Sequence, residues 1–194
     1  MVSEVKPPVH TLSETSRYGL VAIGLHWMSA VFVVVVGVLG LLHDSWPKHS
    51  QGFWINIHAV LGLLLWLIAI SRLSWRSQHP APALPIDVGW ISRRLSGLVH
   101  GLLYALMLVI PVFGIVTFIW HGRVLNLGLF QVDFGIKSNR AIFHPTEDIH
   151  GYLAYVLFGL VGVHAAAALW HHYICRDRVL YRMWPAASDR SSGR

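Results

Sequence analysis

The sequence predicts an all-α integral membrane protein, a four-helix bundle, and three observations predict it. Hydrophobic residues make up 55% of the 194 and charged residues only 12%, about half the charged fraction of an average soluble domain. The apolar residues fall in four long blocks free of Lys, Arg, Asp and Glu. The basic residues are shared unequally between alternate connecting segments, as they are in multi-pass membrane chains.

Taken in order, residues 1–18 are polar, with Glu4, Glu14 and two prolines. They lack the basic start and early apolar core of a signal peptide, so they are expected to persist as a cytoplasmic tail. The first span is Leu20–Leu42, closed by a break over residues 43–52 that contains Pro47. The second runs from Phe53 to Ile70 and reaches about residue 75 if the Arg72 side chain snorkels to the interface. After a break with three prolines between Gln78 and Pro85 comes the third, Leu95–Trp120, in which Pro111 predicts a local kink. A glycine-containing loop over 121–149 leads to the fourth, Gly151–Trp170, or 150–172 with its flanking histidines. Each block is close to the roughly 20 residues a helix needs to cross the hydrocarbon core. In lipid such blocks read as helices, because the backbone must satisfy its own hydrogen bonds there. The predicted membrane domain is 19–175, followed by a basic cytoplasmic tail over 176–194.

With the N-terminus inside, the cytoplasmic segments hold eleven Lys and Arg and the outer loops four. That count places both termini in the cytoplasm. Tryptophans 46, 54, 90, 120 and 170 stand near span ends, as an interfacial belt requires. The net charge of +6 is therefore assigned to loops facing the cytoplasm, and nucleic acid is excluded as a partner because no dense basic run with interleaved aromatics occurs. The single cysteine, Cys175, forms no intramolecular disulfide and builds no thiolate metal site alone.

The chemistry lies in the histidines. There are thirteen, and five of them, His26, His58, His100, His150 and His164, sit in or at the edge of the spans. An imidazole inside a membrane helix needs a partner and is a functional candidate; a lone one also reads as an interhelical hydrogen bond, but five in four helices ask for more. Depth sorts them. His26 and His164 fall near the cytoplasmic face, His58 and His150 near the outer face, and His100 is left over on the cytoplasmic side. His150 and His164 are fourteen residues apart, a rise of about 21 Å with about 40° of drift, so both rings share one side of the helix. Two opposed imidazoles in a bundle core suit a flat iron porphyrin. Filling both axial positions favours electron transfer over oxygen binding. Gly24, Gly62, Gly159 and Gly162 offer space for such a macrocycle. Zinc is the rival metal, but its sites gather three or four ligands in one place, whereas these spans offer two histidines per level and no acid. His171 and His172 diverge by about 100° on a helix and read as interfacial polar residues.

The ordered set of residues resembles a known family. It comprises Ser16-Arg17-Tyr18 with His26-Trp27, then Ile57-His58 with Gly62 and Arg72, and His100 and Tyr104 with Pro111 and Gly114. It closes with His164-Ala165-Ala166-Ala167-Ala168, His171-His172-Tyr173 and Arg182-Met183-Trp184-Pro185. From Ser16 to Pro185 the chain resembles the bacterial cytochrome b561 proteins, four-helix membrane cytochromes, most closely their superoxide oxidase type. The resemblance implies two b-type haems in the bundle core. It gives His26 with His164 as axial ligands of the cytoplasmic-side haem and His58 with His150 of the outer one, the same pairs that depth gives. It also implies the bacterial inner membrane and electron exchange with the quinone pool. In the superoxide oxidase type, superoxide is oxidised on the outer side and quinone reduced, which would make the protein a superoxide:quinone oxidoreductase. Arg72 and His100 are secondary candidates, either of which could meet haem propionates, and His100 could instead touch quinone. Steering of superoxide needs positive potential. The outer loop sums to zero, with Arg123, Lys137 and Arg140 against Asp133, Glu147 and Asp148, so its cations would have to cluster at the outer haem. Two other functions compete. One is a haem-bearing anchor subunit relaying electrons for a partner dehydrogenase or hydrogenase. The other is a histidine-lined channel, which would call for broken helices and mid-membrane acids that the spans lack.

Overall fold

The computed structural model describes residues 17–80, 82, 89–177 and 179–185. The expected N-terminal tail before residue 17, Pro85 in the second break and the chain beyond Pro185 lie outside the described residues. Four helices are long and apolar enough to cross a membrane: α1 (Leu20–Leu41), α2 (Lys48–Gln78), α3 (Trp90–Trp120) and α4 (Arg140–Trp170).

The first helix ends one residue short of its predicted bound, with Leu42 as its C-cap; the other three are longer than predicted. Lys48 opens α2 directly after Pro47, whose carbonyl accepts from the Ser50 and Gln51 N–H groups at 2.9 and 3.1 Å. Asn139 caps α4, its side chain accepting from Ala141 N at 3.0 Å, a role that suits asparagine. The reason is physical. Hydropathy marks only the part of a helix that lipid surrounds, while the backbone ladder continues into the polar flanks until a cap stops it. The predicted loop over 121–149 is therefore corrected: its last ten residues, 140–149, belong to α4. The remainder holds a small antiparallel hairpin, β1 (Leu125–Asn126) with β2 (Gln131–Val132), turned at Gly128 in the left-handed region, φ 87°. Asn56 of α2 pins it, exchanging two 2.8 Å hydrogen bonds with the Asn126 backbone. Pro111 leaves α3 one continuous helix.

Consecutive helices pack against one another, α1 with α2, α2 with α3 and α3 with α4. The side chains repeat in steps of seven along all four: His26, Val33 and Gly40; His58, Leu65 and Arg72; His100, Met107 and Gly114; His150, Leu157 and His164. Seven residues are close to two helical turns, about 10.5 Å of rise, so the antiparallel helices build three levels. Val33, Leu65, Met107 and Leu157, all buried, form the middle one and belong to one apolar cluster with Ala69 and Ile110. The level toward the hairpin holds His58, His150, Gly40 and Gly114. The level toward the chain termini holds His26, Arg72, His100 and His164. Many outward residues, such as Val31, Leu67, Val109 and Val156, are exposed; lipid, to which such side chains are indifferent, is their solvent.

At the termini end, part of the predicted basic tail folds back. Arg17 donates to Trp184 O at 2.7 Å, Trp27 Nε1 to Met183 O at 2.7 Å and Tyr18 N to Arg182 O at 3.3 Å. Arg182 is 5% exposed. Residues 179–185 thus form a strap over the start of α1.

Candidate functional site

The structure brings together both predicted histidine pairs. The His58 and His150 ring centroids lie 6.0 Å apart with planes at 78°; those of His26 and His164 lie 6.3 Å apart at 75°. This spacing can be tested against a bound metal. Imidazole nitrogens bind a first-row ion at about 2 Å, and about 1.2 Å separates each nitrogen from its ring centre. Two rings on opposite sides of one ion therefore stand about 6.4 Å apart. Both pairs fit. The third contact does not: His100 and His164 are 5.0 Å apart, edge to face, too close for an ion between them in line.

The two levels differ in how the rings are held. At the hairpin level, Nδ1 of His58 is 3.0 Å from Val36 O and Nδ1 of His150 is 3.0 Å from Ile110 O. A carbonyl only accepts, so each Nδ1 carries its proton and each Nε2 presents a lone pair, the arrangement found behind metal-binding histidines. Glycine makes room for these rings. A Cβ on Gly40 would lie 3.0 Å from His58 Cε1, and one on Gly114 would lie 3.0 Å from His150 Cε1. The pair opens on a cavity of about 460 Å³ that Gly62 also lines, within the size range of small-molecule and cofactor sites. Of the other glycines expected to give space, Gly24, Gly159 and Gly162 stand in the open, where an added Cβ would meet nothing within 4 Å, but they do not border this cavity.

At the termini level every helix contributes a polar side chain. Arg72 Nη2 donates to His26 Nδ1 at 3.0 Å, and its guanidinium lies 5.2 Å from the Tyr104 ring centre. His100 Nδ1 is 2.6 Å from Ser96 O. Arg72, a secondary candidate for meeting a haem propionate, stands fourteen residues after His58, and its contacts with His26 and Tyr104 turn it into the bundle rather than to the interface. An imidazole that accepts at Nδ1 carries its proton on Nε2, so the Arg72 contact and Nε2 ligation by His26 exclude each other. Gly40 and Gly114, which hold the hairpin-level rings, were given no such role from sequence. The signal was present: each stands fourteen residues after a span histidine, His26 and His100.

Beyond the spans, Arg123 lines the hairpin-end cavity with Asp44 and Glu147, while Lys137 and Arg140 do not. Burial pulls the Arg123 guanidinium below its usual pKa, and the Glu147 carboxylate opposes that shift. The clustering of outer-loop cations that steering would need is therefore limited to one residue facing two acids.

Four membrane-length helices with opposed imidazoles at two heights define a membrane cytochrome of the four-helix class. The family profile described as Prokaryotic cytochrome b561 matches residues 17–186, and the chain belongs to that family. Among relatives it is similar to Cytochrome b561 homolog 1 of Escherichia coli (strain K12), 30% identical over 88% of this chain and 98% of that one. It is 26% identical to the Probable superoxide oxidase CybB of Yersinia pestis, over 87% and 96% of the two chains. It is also 26% identical to Cytochrome b562 of Cereibacter sphaeroides, over 89% and 98%. Membership makes the protein a multi-pass membrane electron-transfer protein of a family that binds b-type haem.

Proposed function

We propose that the chain is a dihaem cytochrome of the bacterial inner membrane that takes electrons from an outer-side donor, superoxide, and delivers them to quinone. Both termini face the cytoplasm. His58 and His150 are the axial ligands of the outer haem, and His26 and His164 those of the inner one. The observation that carries this reading is the matched span of the two pairs, 6.0 and 6.3 Å, at two heights of one bundle. Haem iron bound by imidazole on both faces supplies single-electron exchange. The chain's own residues do the rest. The Val36 and Ile110 carbonyls fix the outer rings with Nε2 free, Gly40 and Gly114 leave the rings room, and the buried middle level excludes water between the two heights.

The donor assignment is supported by the name of the Yersinia relative and by the cavity beside the outer pair. Two superoxide anions give up one electron each and leave as dioxygen; one quinone takes both electrons and two protons. Arg123 is the cation available to meet the anion, but Asp44 and Glu147 share the cavity lining, so entry should be only weakly slowed by salt. The experiment is rapid mixing of the purified, haem-loaded protein with superoxide, followed by quinone. Haem reduction and then quinol formation are expected. Haems that stay oxidised at neutral pH would remove superoxide as donor.

Arg72 supplies positive charge beside the inner pair and favours the reduced cofactor. Pairing of Arg72 with a haem carboxylate would draw it off His26 Nδ1, which would then carry the ring proton and leave Nε2 for iron. Arg72→Gln should lower the inner midpoint potential by about 50 mV, near the ~59 mV that corresponds to a tenfold change for one electron. The outer potential should stay put. A redox titration resolving the two haems checks this, and equal shifts in both would contradict it.

A further inference from the structure

At the termini end α4 does not stop cleanly. It loosens into a π-helical turn, His171–Cys175, and then reverses at Arg176, whose φ of 54° is left-handed. The Asp177 N–H closes the turn on the His171 carbonyl at 3.1 Å. This reversal carries the Asp177 carboxylate back over the helix end, where its Oδ2 meets His171 Nδ1. Its other oxygen accepts from Val179 N at 3.0 Å, which fixes the carboxylate's orientation. On the wider π turn, residues four apart come closer to eclipse than on an α-helix, and π turns of this kind recur at functional sites. Cys175 therefore stands beside His171. One ligand atom from each of His171, Cys175 and Asp177 lies within 4.8 Å of the other two. His172 is excluded: its ring turns toward Tyr181, 5.3 Å away.

The geometry points to a zinc-class metal site at the end of α4, with His171 nitrogen, Cys175 sulfur and Asp177 oxygen as three ligands and a fourth position left to solvent. The donor set selects the ion. Nitrogen, thiolate and carboxylate together suit a borderline-soft divalent cation such as zinc, whereas magnesium and calcium take oxygen alone. Ligand atoms around tetrahedral zinc stand about 3.3–3.6 Å apart, so the Cys175 sulfur has to close by up to about 1.5 Å while the hydrogen-bonded His171 and Asp177 atoms part to admit the ion, each through rotation about its own side-chain bonds. Cys175 is exposed and the His171 and Asp177 side chains are half-buried, so the three ligand atoms are not sealed inside the bundle. Binding displaces the thiol proton, so the sulfur would bind as thiolate. Bound metal would tie the last turn of α4 to the chain leading into the strap over α1. The site does not rest on the haem assignment; its first ligand, His171, is seven residues beyond His164, and none of the three is a haem ligand.

The test uses the haem-loaded protein in detergent and zinc ion alone. Cys175 is the only cysteine in the sequence, so alkylation read by mass spectrometry reports on this position without ambiguity. Zinc should slow alkylation by about tenfold or more, since a metal-bound thiolate is withdrawn from reaction. His171→Ala and Asp177→Asn should each abolish that protection while leaving the haem spectrum unchanged. Should His171→Ala fail to load haem, Asp177→Asn decides alone. Unprotected Cys175 in the parent protein, or protection that persists in Asp177→Asn, would overturn the site.

Discussion

His58→Ala is expected to leave a protein that still folds and still turns red, with about one haem per chain instead of two. His58 and His150 face each other across 6.0 Å, so removing one ring leaves the other alone above a widened space. A single imidazole on a helix face grips a porphyrin far less firmly than an opposed pair. The inner pair is unaffected because the middle level of Val33, Leu65, Met107 and Leu157 separates the two heights and is packed without help from either. The spectrum of the remaining haem should stay that of a six-coordinate, two-imidazole iron, and quinone reduction by an outer donor should be lost. Pyridine haemochrome assay against protein concentration checks the count. Two haems retained would show that His58 is no ligand; both lost with helicity intact would show that the levels are not independent.

Much of this site could be read from spacing. The four spans follow from uncharged runs, and the two pairs follow from depth once orientation is set, because a helix converts residue number into height at a fixed rate. What could not be read has particular causes. The starts of α2 at Lys48 and α4 at Arg140 lie outside the uncharged apolar runs, where polarity no longer distinguishes helix from loop. The face of Arg72 follows from its steps of seven from His58 and Leu65, but its partner does not, because His26 stands on another helix and only the packing brings the two together. The approach of Asp177 to His171 depends on left-handed backbone at Arg176, a conformation that arginine does not advertise. The glycines were ambiguous for a different reason. Glycine is frequent in membrane helices, and only its register against His58 and His150 marks Gly40 and Gly114 as cradles.

Gly114 carries the second large effect, since it tests the site without touching a ligand. A Cβ there would lie 3.0 Å from Cε1 and 3.2 Å from Nδ1 of His150. The ring cannot simply retreat, because its Nδ1 is anchored on Ile110 O at 3.0 Å. Gly114→Ala asks for a few tenths of an ångström and should keep two haems, with the outer one perturbed in its spectrum. Gly114→Val adds two further methyl groups on the ring side and should turn His150 off its partner, giving about one haem per chain although all four histidines remain. Helix stability cannot be the cause, because replacing a mid-helix glycine favours the helix, by up to about 1 kcal/mol for alanine. Gly97→Ala on the same helix, with nothing within 4 Å of its added carbon, serves as the control and should keep both. If Gly114→Val still bound two haems with the parent spectrum, the outer porphyrin would have to be held by something other than the His150 ring in the orientation described, and the assignment of that level would fall while the inner one stood.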